Sequence, residues 1–281
     1  MEKKETQSGG PKMRKIAVVT GGVSGIGKAI CQELITRHIF VIIADIQEHE
    51  GRMLEAELNK DAVHTKFVPL NVTNYKSVAS VIHDVFEEFH RIDYLFNNAG
   101  IAMYGEMAET TIEDWKEIMD INLWGVIYGT QIGYPLMKKQ GFGHIVNTSS
   151  AAGLGPSPFS TAYATTKHAV IGLTTSLHYE AEEFGIKVST LCPMFVDTPI
   201  FDNAKAIHMD KSIITKLLKQ QKMISPQRIA KMAIEGVHQN KPIICPMPMR
   251  KTMDVIFTIF PFLHKALMRM VCKVSRNARL T

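Results

Sequence analysis

The chain has 281 residues, 46% of them hydrophobic and 21% charged, a globular mixture that excludes disordered, collagenous and membrane-embedded classes. Cys31, Cys192, Cys245 and Cys272 share no CxxC spacing, the eleven histidines show no ligand spacing, and the first ten residues hold no apolar run; neither a disulfide framework nor a metal site is suggested, no secretory signal is expected there, and a cytoplasmic setting is expected. The net charge of +5 is uneven, because residues 250–281 carry seven cations against Asp254, a net +6, leaving −1 elsewhere; this argues against a nucleic-acid surface and sets the C-terminal segment apart.

Residues 1–12 read as a short solvated tail. From Lys15 onward, apolar β-branched runs at 16–20, 40–45, 64–70, 94–100, 144–150, 187–193 and 242–246 alternate with longer amphipathic stretches. Continuous apolar runs suit strands buried on both faces, and the intervening lengths suit right-handed βαβ crossovers. About seven strands in a doubly wound parallel α/β sheet are therefore predicted, as one domain over 13–249 with an extension over 250–281. Such sheets bind ligands beyond the carboxyl ends of their strands.

The first strand run leads into Thr20-Gly21-Gly22-Val23-Ser24-Gly25-Ile26-Gly27 and then a helical stretch. A glycine loop that opens a helix lets backbone N–H groups approach a pyrophosphate, and the helix dipole favours the anion. Asp45 ends the second run 18 residues after Gly27, where a carboxylate can accept from ribose hydroxyls, or else cap a helix starting near Gln47. It would repel a 2′-phosphate, and no Arg or Lys lies in the loop or directly after Asp45. NAD rather than NADP is the expected cofactor.

Helical spacing over Thr111 to Lys139, with Trp115 and Trp124, suits a core or subunit-interface helix. The fifth run ends in Ser149-Ser150, and either hydroxyl could hold a carbonyl or alcohol oxygen. Tyr163 and Lys167 follow at i and i+4 in a helical stretch, Thr161 to Phe184, so the two share a helix face. An ammonium about 4 Å from the phenol, at an effective dielectric near 20, is worth roughly 4 kcal/mol, or about 3 pKa units. That would bring the phenol near neutrality. Phe201 to Ile224 mixes apolar residues with lysines. Val255 to Leu263 is apolar but far too short to span a bilayer, which takes about 20 residues. With the apolar and basic alternation that follows, it reads either as a cover over a pocket or neighbouring subunit, or as a helix lying in an anionic membrane interface.

Taken together, the TGxxxGxG loop at Thr20 to Gly27, the NNAG element at Asn97 to Gly100, Asn122, Ser150 and the YxxxK pair Tyr163 and Lys167 resemble the short-chain dehydrogenase/reductase superfamily, over roughly Lys12 to Met249. The resemblance implies a single Rossmann domain that interconverts an alcohol and a carbonyl with NAD(P). It implies Tyr163 as general acid/base, Lys167 as the group that lowers its pKa and contacts the nicotinamide ribose, Ser150 as the holder of the substrate oxygen and Asn122 as support for a proton relay. Cofactor contacts are implied at Gly21, Ser24, Gly25, Ile26, Gly27, Asp45, Asn98, Ala99, Gly100, Tyr163, Lys167, Pro193, Val196 and Thr198. Two departures stand out. Asn71-Val72 replaces the usual Asp-Val, with an amide still able to pair with an adenine edge, and Pro193-Met194 replaces Pro-Gly, which puts Met194 near the pocket. In the family the segment over 201–224 covers the substrate, and the helix with Trp115 and Trp124 and the helix bearing Tyr163 resemble those that build its dimers and tetramers. The resulting expectation is an NAD-dependent oxidoreductase for a lipophilic secondary alcohol or ketone, of the size of a steroid, retinoid or hydroxy-fatty acid. The alternatives are a non-catalytic NAD-binding scaffold or sensor and an NADPH-dependent carbonyl reductase.

Overall fold

Alternate residues of the central strands enter two different apolar cores, which is what a sheet covered on both faces requires. In a computed structural model, which describes residues 14–246 and 250–280, Ala17 and Val19 of β1 (Ile16–Thr20) pack on one side with Val41 and Ile43 of β2 (Phe40–Asp45). Ile16, Val18, Ile42 and Ala44 pack on the other. The remaining strands of this sheet are β3 (Thr65–Pro69), β4 (Tyr94–Asn97), β6 (Gly143–Thr148), β7 (Ile186–Leu191) and β9 (Ile243–Ile244). All pairings are parallel and the order is β3-β2-β1-β4-β6-β7-β9. The order reverses beside β1, between β1 and β4, and that reversal opens a crevice above their carboxyl ends. The expected tail at 1–12 and the boundary at 249 lie outside the described residues.

Helices α1 (Gly25–Thr36), α2 (Glu48–Leu58) and α8 (Pro226–His238) cover one face, and α3 (Tyr75–Phe89), α5 (Gly125–Gln140) and α6 (Thr161–Glu182) the other. Local signals set their ends. Asn74 accepts from Ser77 N at 3.2 Å to start α3, and Thr111 with Asp114 forms a reciprocal capping box at α4 (Ile112–Met119). The single helix expected over Thr111 to Lys139 is instead α4, a π-helical turn at Asp120–Trp124, and α5.

Four predicted strands end two or three residues early: the runs to 100, 150, 193 and 246 stop pairing at 97, 148, 191 and 244, and the last residues of the first three become loops at the carboxyl edge. A second, two-stranded sheet joins β5 (Met103–Tyr104) to β8 (Lys205–Ala206); pairs this short leave no periodic trace in sequence. It ties the segment after β4 to the cap over the crevice, which also contains α7 (Lys211–Lys219). The extension forms α9 (Arg250–Ile259) and α10 (Pro261–Arg276), which pack on each other.

Gly51 in α2 faces Phe67 so closely that an added Cβ would lie 2.0 Å from the ring. Glycine to alanine inside a helix ordinarily stabilises by about 0.5–1 kcal/mol, but overpacking costs about 1–3 kcal/mol. Gly51→Ala is therefore expected to lower unfolding stability by about 1–2 kcal/mol in urea titration; a more stable variant would contradict the α2–β3 packing.

Candidate active site

A cavity of about 1090 Å³ lies along the carboxyl edge of the sheet, lined from the loops after β1, β2, β3, β4, β6 and β7 and from the cap. Its size exceeds the usual range for one small ligand, about 300–1,000 Å³, and leaves room for a dinucleotide with a second molecule.

At one end the glycine loop turns through Gly21 (φ +63°) and Gly25 (φ +50°). A Cβ on Gly21 would lie 2.8 Å from Ala99 Cα, and one on Gly27 would lie 1.9 Å from Gly21 O. Only glycine lets these backbones pass. Ser24 precedes α1 without its side chain capping the helix, and the first turn of α1 holds no acidic residue. The helix N-terminus thus presents its N–H groups to the cavity where Ser24, Gly25 and Ile26 line it. Thr198 packs against Gly25, with its Cγ2 3.1 Å from where a Cβ would stand.

Asp45 is buried, and each carboxylate oxygen takes one backbone donor: Oδ2 accepts from Val23 N and Oδ1 from Gln47 N, both at 3.1 Å. It ties the glycine loop to the start of α2 while lining the cavity. Among the described residues that line the cavity, Lys167 is the sole Lys or Arg. Asn71 Oδ1 accepts from Thr73 N at 3.0 Å and Thr73 Oγ1 at 2.9 Å, so the amide N–H₂ is the group it offers an adenine edge, with Val72 beside it. These donors and acceptors fit a dinucleotide: amides for a pyrophosphate, a carboxylate for ribose hydroxyls, an amide for a base.

Asn98 and Ala99 act differently from a simple contact set. Thr20 Oγ1 accepts from Asn98 N at 2.9 Å and Ala99 N at 3.1 Å, and Asn98 Nδ2 donates to Thr20 O at 3.1 Å. Their hydrogen bonds hold the loops after β1 and β4 together, and Thr20 is the member of this lock that motif reading missed. Pro193 and Val196 lie on the opposite wall, where Val196 bridges to Ile224, and Met194 projects into the cavity mouth, 38% exposed.

At the other end Ser150, Tyr163, Lys167 and Gly100 line one pocket. The two serines differ in hydrogen bonding: Ser149 Oγ donates to Lys167 O at 2.7 Å, which ties it to α6, whereas Ser150 Oγ accepts from Ala152 N at 3.2 Å. Lys167 is buried, donates from Nζ to Thr148 O at 3.0 Å, and lies 5.6 Å from the Tyr163 ring centre. Asn122, fully buried in the π-helical turn, clasps the backbone of Ile101: Oδ1 accepts from Ile101 N at 2.8 Å and Nδ2 donates to Ile101 O at 2.9 Å. A Cβ on Gly100 would lie 3.1 Å from Asn122 Oδ1 and 3.4 Å from Lys167 Nζ, so the two side chains converge behind Gly100.

Burial dominates the electrostatics of this pair. Burial pushes the Tyr163 phenol above its ordinary value, and the Ser150 hydrogen bond only pulls it part of the way back. Burial also pushes the Lys167 ammonium down, to about 8. Sequence reading also missed Tyr104, in a two-residue strand with no motif; it lines the cavity, and its phenol is pushed up by burial and by the nearness of Tyr163.

The cap supplies the outer wall. Phe201, Leu218 and Gln221 of the 201–224 segment line it, together with Ile200 just before that segment. The extension contributes Leu267, Met268, Met270 and Val271 of α10, whereas the apolar run Val255 to Leu263 does not line the cavity.

Residues 15–207 match the short chain dehydrogenase family. The chain is 34% identical over 206 residues to momilactone A synthase of Oryza sativa subsp. japonica, covering 73% of this chain and 74% of that one. A short-chain dehydrogenase/reductase from Burkholderia phymatum, solved in complex with NAD, superposes with a TM-score of 0.79 at 26% identity, covering 92% and 95% of the two chains. ElxO with NADP bound gives a TM-score of 0.73 at 28% identity, covering 83% and 97%. The chain accordingly belongs to the short chain dehydrogenase family, with the Rossmann fold of an NAD(P)-dependent oxidoreductase.

Proposed function

We propose that this protein uses NAD to interconvert a lipophilic secondary alcohol and its ketone. The observation that carries the chemistry is the convergence of Ser150, Tyr163 and Lys167 on one pocket at the end of a cavity whose other end is built for a dinucleotide. NAD, when bound, supplies the hydride acceptor and a positively charged ring. Ser150 holds the substrate oxygen against the phenol, and Tyr163 takes the hydroxyl proton on oxidation or returns it on reduction. Lys167 stabilises the phenolate and contributes a donor for a ribose. Asn122 sends its amide hydrogen bonds to Ile101 and Thr166, so in this reading it positions the pocket wall and supports a proton relay only indirectly.

The preference for NAD is supported by Asp45 and by the absence of another Lys or Arg among the described lining residues. The wall of Leu267, Met268, Val271, Phe201 and Met194 supports a lipophilic substrate of steroid, retinoid or hydroxy-fatty-acid size. Exposed Trp124 on the approach to α5 and exposed Tyr179 on α6 support a homodimer or homotetramer built on these helices. The extension is the part proposed to make peripheral membrane contact. No described helix is long and apolar enough to cross a membrane.

Tyr163→Phe should lower turnover by about 10²–10⁴ while leaving NAD affinity, measured by fluorescence quenching, within a few-fold; activity above a tenth of wild type would remove Tyr163 from the proton transfer.

An Asp45 carboxylate about 4 Å from a 2′-phosphate repels it by about 1–4 kcal/mol per charge. Wild type should therefore show the higher kcat/KM with NAD, and Asp45→Asn, which keeps one acceptor oxygen, should shrink the NAD/NADP ratio at least about tenfold. A wild type faster with NADP would reverse the assignment.

Lys167 links activity to stability. Its folded pKa, about 8, lies below the unfolded value, so the folded chain resists its protonation; the resulting penalty of about 3 kcal/mol is full below pH 8 and disappears as pH rises through the unfolded value near 10.4. Lys167→Met should abolish turnover yet melt at a higher temperature than wild type at pH 7, with the difference vanishing towards pH 10.5. A variant that melts lower at pH 7 would show that the Thr148 hydrogen bond outweighs the burial cost.

A further inference from the structure

Exposed apolar surface gathers on the extension: among the described residues, nine of the twenty exposed large hydrophobic ones fall between Val255 and Leu280. At the corner where α9 meets α10, Val255, Ile256, Ile259, Phe260, Phe262 and Leu263 are between 38% and 63% exposed. A soluble surface does not ordinarily gather such side chains in one place.

Helix α10 has three distinct faces. Leu267, Met268 and Val271 turn to the cavity. Lys265, Arg269, Lys273 and Arg276, at i, i+4, i+8 and i+11, form an exposed basic stripe. Leu263, Met270 and Val274, at i, i+7 and i+11, form an exposed apolar stripe between those two faces. The helix contains no acidic residue. Its far end is fixed to the cap: Asp210 N donates to Ala278 O at 2.6 Å, Leu280 N donates to His208 O at 3.0 Å, and Arg279 pairs with Glu106 at 2.9 Å. The helix pair is thus held to the body at one end while its apolar corner stands out at the other.

We propose that the α9–α10 corner docks into the surface of an anionic lipid bilayer, with the basic stripe against the headgroups, and so sets the α10 wall of the cavity at the membrane. It rests on the peripheral-contact reading of residues 250–281 and gives that contact a surface. The occupant is a bilayer and not a protein for two reasons on the molecule itself. Cations flank the apolar stripe along its length, which suits a charged planar surface. Helices of 10 and 16 residues are too short to span but long enough to lie in the interface. Met270, both 57% exposed and a lining residue, joins the docking stripe to the cavity mouth, so an apolar substrate dissolved in the bilayer would reach the pocket without crossing water.

The test uses the full chain and two variants that touch neither cavity nor cofactor cradle, Ile259→Glu/Phe262→Glu at the corner and Arg269→Glu/Lys273→Glu on the stripe. Each is mixed with vesicles of phosphatidylcholine alone or with one-third phosphatidylglycerol, and co-sedimentation is measured at low salt and at about 0.5 M salt, where screening is short-ranged. Wild type should partition onto the anionic vesicles at least tenfold better than onto neutral ones, high salt should weaken it, and both variants should lose at least tenfold while matching wild type in melting temperature and in NADH formation from a short water-soluble secondary alcohol. Equal sedimentation of wild type and variants, or none by any of them, overturns the proposal. So does a corner variant whose mass in sedimentation equilibrium falls below wild type while vesicles capture neither, since the corner is then a subunit interface. If no protein form oxidises any alcohol, the redox reading fails and the vesicle result still decides the docking.

Discussion

Nothing larger than hydrogen fits between the loops that leave β1 and β4, and the site depends on that closeness. Because Gly21 runs against Ala99 and Gly27 against Gly21, α1 begins directly above the sheet edge and its first N–H groups open into the crevice instead of into solvent. The Thr20 hydroxyl and the Asn98 amide then fix the two loops in register, and Asp45 adds a third strand end by holding Val23. The cofactor end of the cavity is rigid for this reason: its parts are backbone groups pinned by backbone and by short polar side chains, with little rotamer freedom to lose on binding.

The end of the cavity proposed for catalysis is built on the opposite principle. Lys167 and Tyr163 are placed where neither readily takes its charged form, and the fold pays for this through packing elsewhere, in cores where Ile42, Leu95 and Ile145 are fully buried. A lysine with pKa near 8 sits close to the working pH of most enzymes, so modest changes in the field around it alter its charge. The Tyr163 phenol is likewise pushed above its ordinary value by burial, with the Ser150 hydrogen bond opposing the shift.

Much of this was legible in the sequence, for identifiable reasons. Strand runs buried on both faces lose the period-two alternation and become continuous apolar stretches, which is why seven of them could be read from residues 16 to 246. The glycine loop, Asp45 and the Tyr163–Lys167 pair were legible because backbone approach and helix spacing restrict residue type at fixed separations. The rest follows from contacts between distant segments. What holds the Ser149 hydroxyl is the carbonyl of Lys167, 18 residues away; the role of Thr20 depends on the chain near residue 98; and burial, which acts on the phenol from every side, is not visible in the spacing of two charges. The π-helical turn was invisible for a similar reason, since its residues have ordinary helical propensities and only the packing on either side imposes the wider turn.

That turn at Asp120–Trp124 also fixes the arithmetic of the chain. A π-helical turn uses about one residue more than an α-helical one, and the surplus separates two helices that face different partners. Helix α4 aligns with the segment before the cap, where Asp114 meets Lys205 at 2.7 Å. Helix α5 lays Gly129 and Gly133 flat on Asn97 and Leu95, where an added Cβ would come within 2.0 and 2.5 Å. Removing a single residue here would merge the two into one continuous helix and rotate α5 by about 100° relative to α4, turning the small positions off the sheet and carrying Asn122 away from Ile101. The stretch therefore constrains the length of the chain more tightly than its composition: an inserted or deleted residue is absorbed in the loops on either side, not within the turn.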